Sequence, residues 1–520
     1  MAKLSKTTKT VIIAAAVLLI LGAVLLVLML TKPAEEDNSS AEESSGEAST
    51  AITVTDHERD DVTSVTVHNA SGEFTFTRNE RVVSTTDDDG NVSSSSEYYW
   101  ISEEMKGLTP NDTTVNAFIK NMAAFETKSL VEENAEDLEK YGLKDPEASV
   151  EVNFDDGTKA ELCFGIQNPA STTSAYFRFR DSSDVHLVSY YTVGSVYYDI
   201  RDFVSLVMTD AYDANDPLEL DYLIIERKDM AEPVEIRYMY DVAEASEDED
   251  AIITTFNSHR FITPISAEVD STKGQTLCYG LYGLSMASCE YIEQTEENLA
   301  ATGLDDPFVR ITFKYGNKRR VLLLGNEIIE ITETDGADTP SLKTVTGYYA
   351  MFEGEGGIYS IAKDSAPWYT FTVQSVMSRR PVSPYIYTVD TVTVKTADAE
   401  YVFKIEGDAS ENTIYCNGEE ISGQKFRELY QHLIASVGEE LYFDEPEGDL
   451  VASVTFKYRD EYVDSYGTDH DTLEYYQSDD RKNIIKVNGS VLFKVREIYT
   501  ERLLSNIQAV LEGGTVELNW

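Results

Sequence analysis

Positive charge is what this sequence has least of: 42 Lys and Arg stand against 93 Asp and Glu, a formal net charge of −51 over 520 residues. Four of the bases, Lys3, Lys6, Lys9 and Lys32, lie in the first 32 residues, which hold no acid. Removing those four leaves 38 bases against the same 93 acids, a net of −55 on the remainder. Nucleic-acid binding needs Lys and Arg to displace counterions from phosphate, so a surface of this sign excludes nucleic acid as a partner and repels anionic headgroups too. It favours solubility and would attract cations or basic partners.

Cysteine is scarce as well, and four in 520 residues make no disulfide framework. Cys278 and Cys289 fall in a stretch read as helix, where eleven residues rise about 16 Å, beyond disulfide reach. Cys163 sits in a strand pattern and reads as a small buried apolar group, while Cys416 adjoins a turn. The six histidines (His57, His68, His186, His259, His432, His470) include no pair at metal-ligand spacing. Ser360 and Lys363 have Ser-x-x-Lys spacing, but the motifs that accompany it in acyl-transfer enzymes are missing. Placing Gly90 at position six of a calcium loop puts Thr85 at position one and Ser96 at position twelve, where acids are required, so residues 87–91 fail as an EF-hand. Gly354, Gly356 and Gly357 lack the strand–glycine–helix context of a phosphate loop. No catalytic residue, cofactor or metal site is expected; a carboxylate hydrolase stands third among the readings only because acids are so many.

Long apolar runs are absent too, with one exception. Residues 11–30 carry no charge, and at about 1.5 Å per residue they span a hydrocarbon core of roughly 30 Å. Lys3, Lys6 and Lys9 precede the run, while Glu35, Glu36 and Asp37 follow it. The positive-inside bias therefore places residues 1–10 in the cytoplasm and the body outside it. The run exceeds a signal peptide's apolar core, and no small-x-small site follows before Lys32, so an uncleaved anchor in the lipid bilayer is expected. Residues 31–50, rich in Ser and Glu, form a flexible acidic linker with a reach of roughly 23 Å.

Beyond the linker one pattern recurs. Leu138, Gly142, Leu143, Asp145 and Pro146 are matched by Leu299, Gly303, Leu304, Asp306 and Pro307 at a constant offset of 161. Alternating strands follow at 148–154 and 309–315, then a polar turn, then a second strand ending in Gly165 or Gly325. Residues 136–141 read as one helical turn that Gly142 ends in the left-handed C′ position. Leu143 then folds back onto the core, and Pro146 stops further helix and biases Asp145 toward extended backbone. Asp145 and Asp306 are on this reading turn residues, not ligands or bases. Upstream, Val115, Phe118, Ile119, Met122 and Phe125 recur at helical spacing after Thr109 and Pro110, as do Leu277, Leu281 and Leu284 within residues 273–290. Strand pairs ending at 98–101 and 260–264 precede these helices. A third, shorter copy has strands across 391–405, a hairpin turn at Asn417 and Gly418, and a helix capped by Ser422 that carries Phe426, Leu429, Tyr430, Leu433 and Val437 and stops at Gly438. Its strand at 451–458 has no Gly-Leu-x-Asp-Pro turn before it, as terminal repeats often vary. The paired tyrosines at 190–191 and 197–198 read as strand residues.

With these features the chain resembles the family of domain of unknown function 4340, found in bacterial membrane-anchored envelope proteins. The resemblance rests on the aromatic strand at 98–101, the turns at Gly142 to Pro146 and Gly303 to Pro307, the strands closing at Gly165 and Gly325, and the later Tyr176, Tyr348 and Tyr349. It covers most of residues 51–380. It implies a topology and an envelope location, often near ABC-type export systems, with no established activity. The acidic insert at 244–250 and the missing third turn depart from the pattern.

The expected architecture is α+β: an N-terminal transmembrane helix followed by tandem repeats of antiparallel sheet plus amphipathic helix. The divisions are residues 1–10 cytoplasmic, 11–30 transmembrane, 31–50 linker, and repeats at 51–212, 213–382 and 383–520. The expected role is a non-enzymatic envelope scaffold or an accessory subunit of an ABC-type transport complex, with a membrane protein of an export system as partner. The alternative is an extracytoplasmic binding module for a glycan, peptide or cation.

Overall fold

Alternation of apolar and polar residues builds the first sheet. In β2 (Val62–Asn69) Val62, Val65 and Val67 are buried, and in β6 (Ala148–Phe154) Val150, Val152 and Phe154 are, with Glu151 and Asn153 between them on the opposite side. The computed structural model describes residues 51–86, 92–215, 218–240, 258–332, 342–407, 412–478 and 480–518. The expected membrane segment, the linker, the Asp-rich run at 87–91 and the acidic insert at 244–250 lie outside the described residues. Among the described residues no helix is long and apolar enough to cross a membrane.

The first sheet has nine strands: β1 (Thr53–Asp56), β2, β3 (Gly72–Thr86), β4 (Val92–Ile101), β5 (Ala124–Glu132), β6, β7 (Lys159–Gln167), β8 (Ser174–Phe179) and β9 (Val185–Ser189). They lie in the order β1-β5-β9-β8-β7-β6-β2-β3-β4, every neighbour antiparallel. Two more nine-stranded antiparallel sheets follow, running from Leu220–Arg227 to Ile358–Ala362 and from Val389–Thr396 to Ser490–Arg496. All three share one eight-strand topology. Counting from β2 and its counterparts, the spatial order in each is third-second-first-fifth-sixth-seventh-eighth-fourth. The first sheet adds β1 beside the fourth strand. The other two add a short strand beside the third, Ala267–Glu268 and Glu419–Ile421. Residues 51–520 form one compact unit.

A helix follows the third shared strand in each copy. In the first, α1 (Asp112–Ala123) is capped by Asn111, whose side chain accepts from Thr113 and Thr114, and it buries Val115, Phe118, Ile119 and Met122. Phe118 meets Phe76 and Phe203 at ring distances of 6.2 and 5.4 Å. Phe125, expected on this helix, lies in β5 instead. In the second copy the expected helix over 273–290 reduces to α2 (Gln275–Tyr279); Cys289 lies in the strand Ser288–Tyr291. Gly280 and Gly283, the latter at φ 60°, interrupt the run that the leucine spacing suggested, yet Leu277, Leu281 and Leu284 are all buried. In the third copy Ser422 caps its helix as expected, but the helix spans Gly423–Leu433 and ends well before Gly438, leaving Val437 exposed. The paired tyrosines at 190–191 and 197–198 are not in strands; all but Tyr198 lie in the two short helices Tyr190–Val193 and Gly194–Tyr197. With β-structure dominant, the helices are fewer and shorter than an even α+β division implies.

The main core lies where helices meet sheets. Sheets one and two each carry a second, smaller cluster: Leu143, Cys163 and Val185 with Tyr141 in one, Leu304, Val321, Leu323 and Ile358 in the other. Their strand neighbours Leu162 and Phe164, or Leu322 and Leu324, belong to the main core. Period-two alternation puts the small clusters on the opposite sheet face.

Candidate functional site

The recurring turn is what covers that opposite face. In the first copy a 3-10 turn, Glu139–Tyr141, ends at Gly142 with φ 65°, and the Leu143 N–H donates to the Leu138 carbonyl at 3.0 Å. In the second, α3 (Glu296–Thr302) ends at Gly303 with φ 69°, and Leu304 N–H donates to Leu299 at 2.9 Å. Both are left-handed helix ends of the kind only glycine enters at little cost. Leu143 and Leu304 are buried beneath them.

Gly165 and Gly325 are explained by the same docking. A Cβ at Gly165 would stand 2.1 Å from the Tyr141 carbonyl oxygen, and one at Gly325 would stand 2.2 Å from that of Thr302. The strand must be bare there because the turn's backbone lies directly on it. Thus Leu138, Gly142, Leu143 and Gly165 come together, as do Leu299, Gly303, Leu304 and Gly325. Asp145 and Asp306 do not join them; both are exposed, and Asp306 pairs with Lys228 at 2.6 Å. Pro146 and Pro307 stand just ahead of the strands Ala148–Phe154 and Val309–Tyr315.

The two copies also share partners that sequence reasoning missed. Asn69 pairs across the sheet with Ala148, and Arg227 pairs with Val309, so the two are equivalent strand ends. Asn69 Nδ2 donates to the Val196 and Tyr198 carbonyls at 3.0 and 2.8 Å; Arg227 Nη1 donates to those of Trp368 and Phe371 at 3.3 and 2.9 Å. The Tyr197 hydroxyl donates to the Gly165 carbonyl at 2.7 Å, and Tyr369 to that of Gly325 at 3.3 Å. Extending the alignment beyond the glycines could have found the tyrosine pair.

Beside this frame the copies diverge. In the first, His68, Asn69, Ala70, Pro146, Glu147 and Tyr197 surround an open cleft of about 670 Å³. In the second, the same place is filled. Phe308, in the position of Glu147, packs its ring 4.7 Å from Tyr369, and Lys228, in the position of Ala70, reaches over to Asp306. Burial, reinforced by the Glu147 carboxylate, pushes the Tyr197 hydroxyl well above its ordinary pKa, so it stays a donor. The cleft wall also holds His68, which pairs with Glu73 at 2.8 Å.

Elsewhere the reactive residue types are put to structural use. All four cysteines are buried and unpaired, and burial raises each thiol, to about 12 for Cys278 and about 11 for Cys289. Ser360 sits in a strand with its hydroxyl 2.6 Å from that of Ser288, so the Ser-x-x-Lys spacing builds no nucleophile there. Among the described residues no cluster of His, Cys, Asp and Glu could hold a metal ion. Burial lowers His259 and His432 to about 4.

The second and third sheets meet through a buried polar joint. Arg260 and Asp471 are fully buried and paired. Asp471 also accepts from the Tyr458 hydroxyl and, at 2.7 Å, from Asn488, while Arg260 donates to Ser266 at 2.6 Å. Burial works against the guanidinium's charge, but Asp471 outweighs it and the group's pKa stands above its ordinary value. Close by, Glu268 accepts from the backbone and hydroxyl of Ser383 at 2.6 and 2.8 Å.

Residues 100–205 match the family model described as domain of unknown function, DUF4340. This is the family that the turn motif resembles, over a shorter stretch than the 51–380 of the resemblance, and it contains α1, the first turn and Tyr197. No curated protein and no solved structure matches the chain.

Proposed function

We propose that the chain is a non-enzymatic scaffold of the cell envelope, serving as accessory subunit of an ABC-type transport complex, anchored through residues 11–30 with its body outside the cytoplasm. The observation that carries this reading is the joining of three like sheets into one compact unit. The buried Arg260–Asp471 joint and the strand-like pairing of the segment after the first sheet with the second, Met208 N–H to Leu284 at 2.8 Å and Gly283 N–H to Asp210 at 2.7 Å, fix the sheets as a body that presents surface. Three buried charged residues, Arg260, Glu268 and Asp471, lie at this joint, which supports a body built to hold shape. The apolar run, the basic residues before it and the acidic linker after it support the anchored, extracytoplasmic placement.

Purification of the full chain in mild detergent tests this: a stoichiometric membrane partner that stays bound is the expected result, and a chain that purifies alone contradicts it. The second reading, a binding module, draws its support from the first-repeat cleft, and of glycan, peptide and cation that cleft favours a peptide.

A further inference from the structure

The second repeat shows what the first repeat's cleft is shaped to hold. Asn69 and Arg227 are equivalent through their pairing with Ala148 and Val309, and Tyr197 and Tyr369 through their bonds to Gly165 and Gly325. In the second repeat the Phe308 ring lies on Tyr369, which also stacks on the Tyr348 ring at 3.7 Å. The Lys228 ammonium crosses the turn to Asp306, donating to its carbonyl at 2.8 Å and pairing with its carboxylate. One aromatic ring and the Lys228 cation thus cover this surface, beside the Arg310–Glu226 pair at 3.7 Å that stands where the first repeat has Ser149 and His68.

In the first repeat both are missing, replaced by Glu147 and Ala70, and about 670 Å³ stands open. Tyr197 keeps its place, stacked on Tyr190 at 5.9 Å and bonded to Gly165. The Asp306 counterpart, Asp145, is exposed and, among the ion pairs of the described residues, faces no cation such as Lys228. Glu147 in the wall and Glu73 against His68 add negative charge at the rim. The groups left without their filling are an aromatic platform and a carboxylate.

We propose that this cleft docks a segment of a partner protein that carries an aromatic side chain beside a basic one, the ring settling against Tyr197 and the cation against Asp145 and Glu147. Aromatic stacking supplies affinity, and the carboxylates select charge. This deepens the accessory-subunit reading, on which it rests for the partner, by naming where and by what chemistry that partner is held.

The test is titration of the full chain in detergent with the capped tripeptide Lys-Phe-Lys and, as control, Lys-Ala-Lys. Two variants copy the second repeat into the first, Glu147→Phe and Ala70→Lys, so each brings in a side chain the same frame already accommodates. The expected result is one saturable site for Lys-Phe-Lys, bound about tenfold more tightly than Lys-Ala-Lys, and weakened about tenfold or more in whichever variant keeps the parent's circular dichroism. Equal binding of the two peptides, or parent-like binding by both folded variants, overturns the proposal. Neither outcome depends on co-purification of a membrane partner, so failure of the docking site and failure of the accessory-subunit reading register separately.

Discussion

At the scale of single residues, the glycines divide into two kinds. Gly142 and Gly303 are legible in the sequence because a Gly-Leu step before Asp-Pro is how a helix end turns into a strand, and both have positive φ. Gly165 and Gly325 recur with them, but why a strand should be bare there was not readable, because the carbonyl that needs the space comes from the turn across the face. Replacing Gly165 or Gly325 with Ala drives a Cβ into that oxygen and should cost more than about 1 kcal/mol, since backbone on both sides must move. Urea midpoints measure it; a change in either variant of under a few tenths would mean the turn is not seated.

The buried histidines give a second test at this scale. His432 is fixed as the neutral form: its Nδ1 accepts from Asn506 at 2.9 Å and its Nε2 donates to the Tyr499 carbonyl at 3.0 Å. His259 packs between the rings of Tyr238 and Tyr279 at 5.2 and 5.5 Å. Both titrate near 4 in the fold, below the ordinary 6.5. The unfolded chain therefore binds more protons between these values, and the stability they contribute is intact above pH 6.5 and lost as pH falls toward 4. Each is worth on the order of 3 kcal/mol over that window. The variant His259→Phe, which keeps a ring between the tyrosines, should flatten the fall in melting temperature from pH 6.5 to 4.5; a slope unchanged from the parent would refute it.

At the scale of elements, strands were easier to read than helices. The strand after each turn and the hairpin at Asn417 and Gly418, both with positive φ, follow from alternation and turn chemistry. Helix length in the second copy did not, because burial of Leu277, Leu281 and Leu284 at helical spacing is equally served by a short helix followed by an irregular chain. Nor did the common eight-strand order, which rests on pairings far apart in sequence such as β5 with β9. In α1, the longest of the three helices that follow a third strand, the Asn111 side chain satisfies two first-turn N–H groups at 3.1 and 3.2 Å. Asn111→Ala should cost about 1 kcal/mol, and Asn111→Asp little, because an acid caps as well and suits the helix dipole. Equal losses in the two variants would show that the cap is not the reason.

At the scale of the whole molecule, the cleft and the joint were both invisible in the sequence. The cleft depends on which strand ends are equivalent, which the pairings of Asn69 with Ala148 and Arg227 with Val309 reveal, and Arg260 and Asp471 are 211 positions apart. The joint sets an energetic condition on the assembly. Removing one partner leaves the other buried and unpaired, so Asp471→Ala should destabilise by about 3–5 kcal/mol, while Arg260→Met with Asp471→Leu recovers only part of that loss, because Tyr458 and Asn488 still lack their acceptor. If the joint and the pairing between the first two sheets make one body of the three repeats, the repeats unfold together. Scanning calorimetry of residues 51–520 tests this most directly. A single transition whose calorimetric enthalpy equals its van't Hoff enthalpy is expected; separate transitions for the repeats, or a calorimetric enthalpy several times the van't Hoff value, would contradict a scaffold that acts as one piece.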